Sequence, residues 1–169
     1  MKTNQSIKKR TVLSLIVFAF LCSANVFAQQ TVNASDIMRD IKMGKIVSYD
    51  NATITGTLDM TYMNEKLPEL PKKRKWWKNG GSNSVEEQIE GSVSFTNCTF
   101  EDNVYAYFHD EDSEYTFVAN FENDVRFTNC TFKGEALFKY SDFEKNADFS
   151  GSKFGHRTTF KYAKFDQNV

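Results

Sequence analysis

From Phe121 onward a phenylalanine recurs at 127, 132, 138, 143, 149, 154, 160 and 165, in alternating steps of six and five residues. No ordinary element carries that interval as a single stripe. On an α-helix, at about 100° per residue, the two steps throw successive rings roughly 140° and 120° in opposite senses. On a flat strand the odd step sends alternate rings to opposite faces. The chain must turn a corner between one ring and the next. Phe95 and Phe100 open the pattern, which takes in eleven of the thirteen phenylalanines beyond residue 28.

Two residues before each ring stands a small side chain: Val93, Cys98, Ala119, Val125, Cys130, Ala136, Ser141, Ala147, Ser152, Thr158 and Ala163. Residues two apart in an extended segment point the same way. Each short strand therefore sends one small and one large side chain inward, and polar residues take the corners. Fixed-period self-similarity of this kind marks a solenoid.

The units "ADFSG", "SKFGH", "TTFKY" and "AKFDQ" resemble those of the pentapeptide-repeat family, over roughly residues 93–165. The resemblance implies an all-β fold, a right-handed quadrilateral parallel β-helix. Here a sixth residue at alternate corners gives a 22-residue coil. "FKYSDF" at 138–143 returns as "FKYAKF" at 160–165, a shift of 22, and "VSFTNCTF" at 93–100 returns as "VRFTNCTF" at 125–132, a shift of 32. The longer shift is one coil plus an insertion of about ten residues, placed at 107–118 and read as an acidic loop. "ITGTLDM" at 54–60 aligns with "IEGSVSF" at 89–95, a shift of 35, which puts a second insertion at 61–88. About four coils are expected.

Residues 1–28 read as a signal peptide: Lys2, Lys8, Lys9 and Arg10, an apolar run, then Val26 and Ala28 before Gln29. A membrane anchor over 11–28 and a lipid on Cys22 are the alternatives, the latter opposed by Leu21 at a position that wants a small residue. The expected location is periplasmic or secreted. Residues 29–45 are expected to form a capping helix, with Asn33 or Ser35 as N-cap, Ile37 and Ile41 on one face and Gly44 as the stop. Residues 46–169 are then the β-helix. Its last coil reads as uncapped, which suggests an end-to-end homodimer there.

Beyond residue 28 the chain carries 17 Lys and Arg against 22 Asp and Glu, a formal charge of −5 that gives no sign of nucleic-acid affinity. Some pentapeptide-repeat proteins resemble B-form DNA and bind DNA-handling enzymes; the expected export and a basic loop argue against that here. The only histidines, His109 and His156, lack a nucleophile at a recognisable spacing. No catalytic, cofactor or metal residues are expected, and the chain reads as no enzyme. Asp110, Asp112 and Glu114 mimic an EF-hand start, but Tyr115 replaces the required glycine and Phe121 the bidentate Glu. Lys72, Lys73, Arg74, Lys75, Trp76, Trp77 and Lys78 form the candidate surface-binding segment, suited to a phosphate-rich membrane face, an anionic glycan or an acidic protein. Cys98 and Cys130 fall one coil apart. A disulfide is within reach, but directly stacked neighbours strain it, which favours buried thiols. The leading function is an exported repeat scaffold for a protein or envelope partner; the alternative is a glycan- or lipid-surface-binding module using the basic Trp-containing loop.

Overall fold

In the computed structural model, which describes residues 29–71 and 83–167, short strands stack in parallel into four columns around one axis. Face A holds Gln30–Asn33, Ala52–Thr55, Thr99–Phe100, Thr131–Phe132 and Lys153–Phe154. Face B holds Val47–Asp50, Val93–Thr96, Val125–Thr128 and Ala147–Asp148. Face C holds Leu58–Asp59, Val104–Tyr105, Ala136–Leu137 and Thr158–Thr159. Face D holds Ser84–Ile89, Thr116–Phe121, Asp142–Phe143 and Lys164–Phe165. The chain visits the faces in the order B, A, C, D and completes four circuits. Phe121 pairs with Phe143 and Phe143 with Phe165, so the coil length is 22 residues. Phe95 pairs with Phe127, the expected shift of 32.

The bore is filled as the ladder requires. Phe100, Phe132 and Phe154 stack with centroids 4.9 and 4.8 Å apart and planes within 9°. Phe121, Phe143 and Phe165 do so at 5.0 and 4.9 Å. Tyr49, Phe95, Phe127 and Phe149 form a third column, and Phe138 and Phe160 a fourth. Centroid spacings near the strand spacing of about 4.8 Å make these offset stacks, the favourable aromatic geometry. Backbone hydrogen bonds run from coil to coil alongside, as in Phe138 N to Thr159 O and Gly155 N to Phe132 O, both 2.8 Å. Burial is complete from Phe95 to Phe143 and declines in the last coil, where Phe154 is 36% exposed.

The N-terminal helix spans Ala34–Lys42, with the Asn33 side chain accepting from Ser35 N at 2.9 Å and Gly44 leaving it at φ +67°. Ile37 and Ile41 are buried with Leu58 and Met60, so the helix covers the mouth of the first coil. The segment 29–45 is more than that helix: Gln30–Asn33, with β-branched Thr31 and Val32, pairs with Ala52–Thr55 as an extra strand.

The alignment of 54–60 with 89–95 is overturned. Ile54 pairs with Phe100 and Leu58 with Val104, a shift of 46. The two Ile-x-Gly stretches lie at different corners, one between faces A and C and the other between D and B. Gly after an apolar residue reports a corner and does not say which one. The 107–118 insertion is also not a loop: Tyr107–His109 pairs antiparallel with Thr116–Val118. Residues 84–88 of the other insertion belong to a strand.

Asparagines at 51, 97 and 129 stack one above another at the corner between faces B and A, each with φ of 53° or 54°, and Gly151 succeeds them at φ +69°. Asparagine and glycine enter this left-handed region most cheaply. The Asn-x-Thr triplets at 51, 97 and 129 follow from that geometry. All three asparagines lie at this corner, just outside the strands Val47–Asp50, Val93–Thr96 and Val125–Thr128.

Candidate functional site

Both insertions leave the helix at one corner. The chain departs after Met60 and again after Ala106, which hold the same inward position on face C of successive coils, and rejoins on face D. The first insertion begins with a helical turn, Met63–Lys66, and a 3-10 turn, Leu67–Glu69, closed by Leu70 and Pro71. Lys66 ties it to the strand Ser84–Ile89, with an ion pair to Glu87 at 2.5 Å and a hydrogen bond to Glu86 O at 3.2 Å. The second insertion is the hairpin, its tip fixed by Asp110 N donating to Tyr115 O and Ser113 N to the Asp110 carboxylate, both at 2.9 Å. The Ser113 side chain and backbone hold the Asp110 carboxyl below its ordinary value.

The two insertions are bonded to each other. Tyr115 Oη donates to Pro71 O at 3.1 Å, Asn83 Nδ2 to Glu114 O at 3.2 Å, and Thr116 N to Asn83 O at 2.8 Å. Leu67, Pro68, Leu70 and Pro71 face Asp110, Asp112, Ser113 and Tyr115 across a cleft of about 520 Å³. Lys72, Lys73, Arg74, Lys75, Trp76, Trp77 and Lys78 lie outside the described residues. Pro71 and Asn83, which flank that segment, are both held on the acidic hairpin.

Among the described residues no three His, Cys, Asp or Glu side chains are grouped to hold a metal ion. The Asp110 carboxylate is engaged by the turn instead, and Asp112 and Glu114 do not converge with it into a ligand set. His109 Nδ1 lies 2.9 Å from the Thr116 hydroxyl, on the hairpin, and His156 is exposed at a corner of the last coil.

Cys98 and Cys130 are free thiols, 1% and 0% exposed, on the small inward position of face A. Thr131 N donates to Cys98 O at 2.8 Å, so the two residues are neighbours one coil apart. Each thiol donates to backbone carbonyls, Cys98 to Thr96 O at 3.3 Å and Cys130 to Phe95 O at 3.4 Å. The adjacent Cys130 thiol holds the Cys98 pKa down, and in return the Cys98 sulfur, helped by burial, pushes that of Cys130 up.

The sequence alone marks neither the bonds of Tyr115 and Asn83 between the insertions nor the exposed tyrosines Tyr140 and Tyr162. The recurrence of tyrosine two residues after the inward position, at 62, 140 and 162, was the available signal.

Residues 119–164 match a family model described as pentapeptide repeats, in nine copies. No curated protein and no solved structure matches the chain. The matched segment is the part in which the 22-residue coil runs without interruption, and its register is the one the stacked rings display. Residues 119–164 thus carry the repeats of the pentapeptide-repeat family, as the resemblance in the sequence implies.

Proposed function

We propose that the chain is an exported, non-enzymatic scaffold whose rigid stalk presents the paired insertions to a protein or envelope component. One observation carries this reading: the two insertions leave the same corner of successive coils and are bonded together through Tyr115, Asn83 and Glu114. A rigid solenoid with its irregular segments gathered on one side is a common arrangement for a binding surface. The test is a cross-linked pull-down from envelope extract with the chain from Gln29, run beside a variant with Lys72, Lys73, Arg74 and Lys75 changed to serine and another with Asp110, Asp112 and Glu114 neutralised. A partner retained by the parent and lost by either variant, with melting unchanged, supports the reading. A partner set indifferent to both variants overturns it. Mass analysis of the secreted product, with Gln29 as first residue, tests export.

A second reading rests on the basic segment alone: Lys72, Lys73, Arg74, Lys75, Trp76, Trp77 and Lys78 engage an anionic lipid or glycan surface. The anchoring of Pro71 and Asn83 on the hairpin supports it, because the segment then starts and returns at one fixed place. Each basic residue near an anionic leaflet contributes about 1 kcal/mol. Flotation with phosphatidylglycerol vesicles, lost on changing Trp76 and Trp77 to alanine, is the expected result, and no flotation at low salt excludes the lipid form. The end-to-end dimer belongs to the same proposal. Among the described residues the strands Lys153–Phe154, Thr158–Thr159 and Lys164–Phe165 pair along one edge only, and a strict monomer by light scattering at high concentration removes it.

A further inference from the structure

We propose that a second cleft, between the hairpin sheet and the tyrosines of the last two coils, is a binding site for an uncharged oligosaccharide. It has a volume of about 520 Å³, within the range of small-ligand sites. Its walls come from two places. Glu86, Thr116 and Val118 stand on the parts of Ser84–Ile89 and Thr116–Phe121 that precede the face D corner. Tyr140, Asp142, Tyr162 and Lys164 stand on the coils that follow, where that extension is absent, so the extension overhangs them.

Two independent observations mark the site. Tyr140 and Tyr162 hold φ of 63° and 64°, a conformation that L-residues other than Asn and Gly rarely adopt, and they project into solvent, 44% and 60% exposed. Tyr62 occupies the same left-handed corner in the first coil, but it is buried and its hydroxyl donates to Met38 O at 2.6 Å, so its use is structural. The outer pair has no such burial to explain it, and strain held at an exposed aromatic position points to a use. Their rings stack at 5.2 Å and 11°, with the Lys139 ammonium 4.6 Å from the Tyr140 ring centroid and that of Lys161 4.9 Å from Tyr162, so the two rings brace each other on the surface. The second observation is Asp142. Its Oδ1 is buried without a hydrogen-bond partner, while Oδ2 takes only the exposed Lys164 ammonium at 3.2 Å, a contact that a ligand displaces at little cost. An unsatisfied buried carboxylate oxygen calls for a donor.

The chemistry of the walls selects the ligand. The Asp142 carboxylate accepts from a sugar hydroxyl through Oδ2, and tyrosine offers an apolar rim beside a hydroxyl, a match for the alternating C–H and O–H surface of a sugar. Glu86 and Asp142 against Lys164 disfavour an anion. An extended peptide would need a free strand edge. Thr116–Val118 has none, being paired with Ser84–Glu86 on one side and Tyr107–His109 on the other.

The test is calorimetric titration of the chain from Gln29 with cellotetraose, chitotetraose, maltotetraose and xylotetraose, repeated with Tyr162→Asn and Asp142→Asn. Asparagine tolerates the left-handed corner, so Tyr162→Asn removes the ring without new strain. At least one tetramer is expected to bind the parent, with Kd raised roughly tenfold or more by each substitution. Changing Trp76 and Trp77 to alanine is expected to leave that Kd unchanged, which separates this site from the basic segment. No binding of any tetramer at about 10 mM, or binding indifferent to both substitutions, overturns the proposal.

Discussion

Phe132→Ala cuts one ring from the middle of a column, and the structure fixes what is lost. Phe132 is 0% exposed, lies parallel between Phe100 at 4.9 Å and Phe154 at 4.8 Å, and touches Phe127 at 5.6 Å. A fully buried Phe→Ala change costs about 3–5 kcal/mol, and the neighbours on both sides are backbone-fixed, so the void cannot close and the upper half applies. Phe165→Ala is the internal comparison. That ring is only partly buried and has one parallel partner, Phe143 at 4.9 Å, which limits its loss to about 1–2 kcal/mol. With a urea m-value of about 2 kcal/mol/M, the midpoint falls by about 2 M in the first case and by less than about 1 M in the second. Urea titrations followed by circular dichroism read both. If the two variants lose equal stability, or Phe165→Ala loses more, the column is not the unit that holds the coils together.

Asp59 is buried with its carboxylate accepting from Thr61 N and Thr61 Oγ1, and desolvation raises its pKa despite them. A raised folded pKa contributes stability below the unfolded value of about 4 that is lost as pH rises through the folded one, so Asp59→Asn gains over the parent between pH 4 and 7 and not below. Melting curves that run parallel across that range contradict this. Gly134→Ala puts a Cβ 2.6 Å from the Asp102 carbonyl carbon, in backbone that cannot yield cheaply, and is expected to lower stability by about 2 kcal/mol or more in a urea titration. Cys98 and Cys130 are expected to resist an aromatic disulfide reagent in the folded chain and to react together on unfolding; release of two equivalents within seconds from the native protein counts against a sealed bore.

The repeat region was legible because every ring and every small residue obeys one period, and nothing local competes with it. Phe121 through Phe165, the paired small positions and the 22-residue coil follow from spacing alone, and Asn33, Ile37, Ile41 and Gly44 mark the helix by its caps and its face. The insertions were harder. "ITGTLDM" and "IEGSVSF" share the chemistry of a corner, and a square coil has four corners, so local likeness gave the wrong shift. The hairpin was hidden because Asp110 to Glu114 read as solvated loop, while the strands on either side are recognisable only once Thr116–Phe121 is seen to continue onto Ser84–Ile89. At the candidate sites composition identified the basic segment but not its neighbours. Tyr115, Asn83, Asp142 and the two outer tyrosines gain their meaning from coil-to-coil contacts, which sequence separation conceals.

The most direct test of the stacked 22-residue coil is the measurement of scalar couplings across backbone hydrogen bonds by NMR. The account predicts couplings from Gly155 N to the Phe132 carbonyl, from Lys153 N to that of Cys130 and from Phe138 N to that of Thr159, each joining adjacent coils. Partners four residues apart, or a register shifted to a 20-residue repeat, would contradict it.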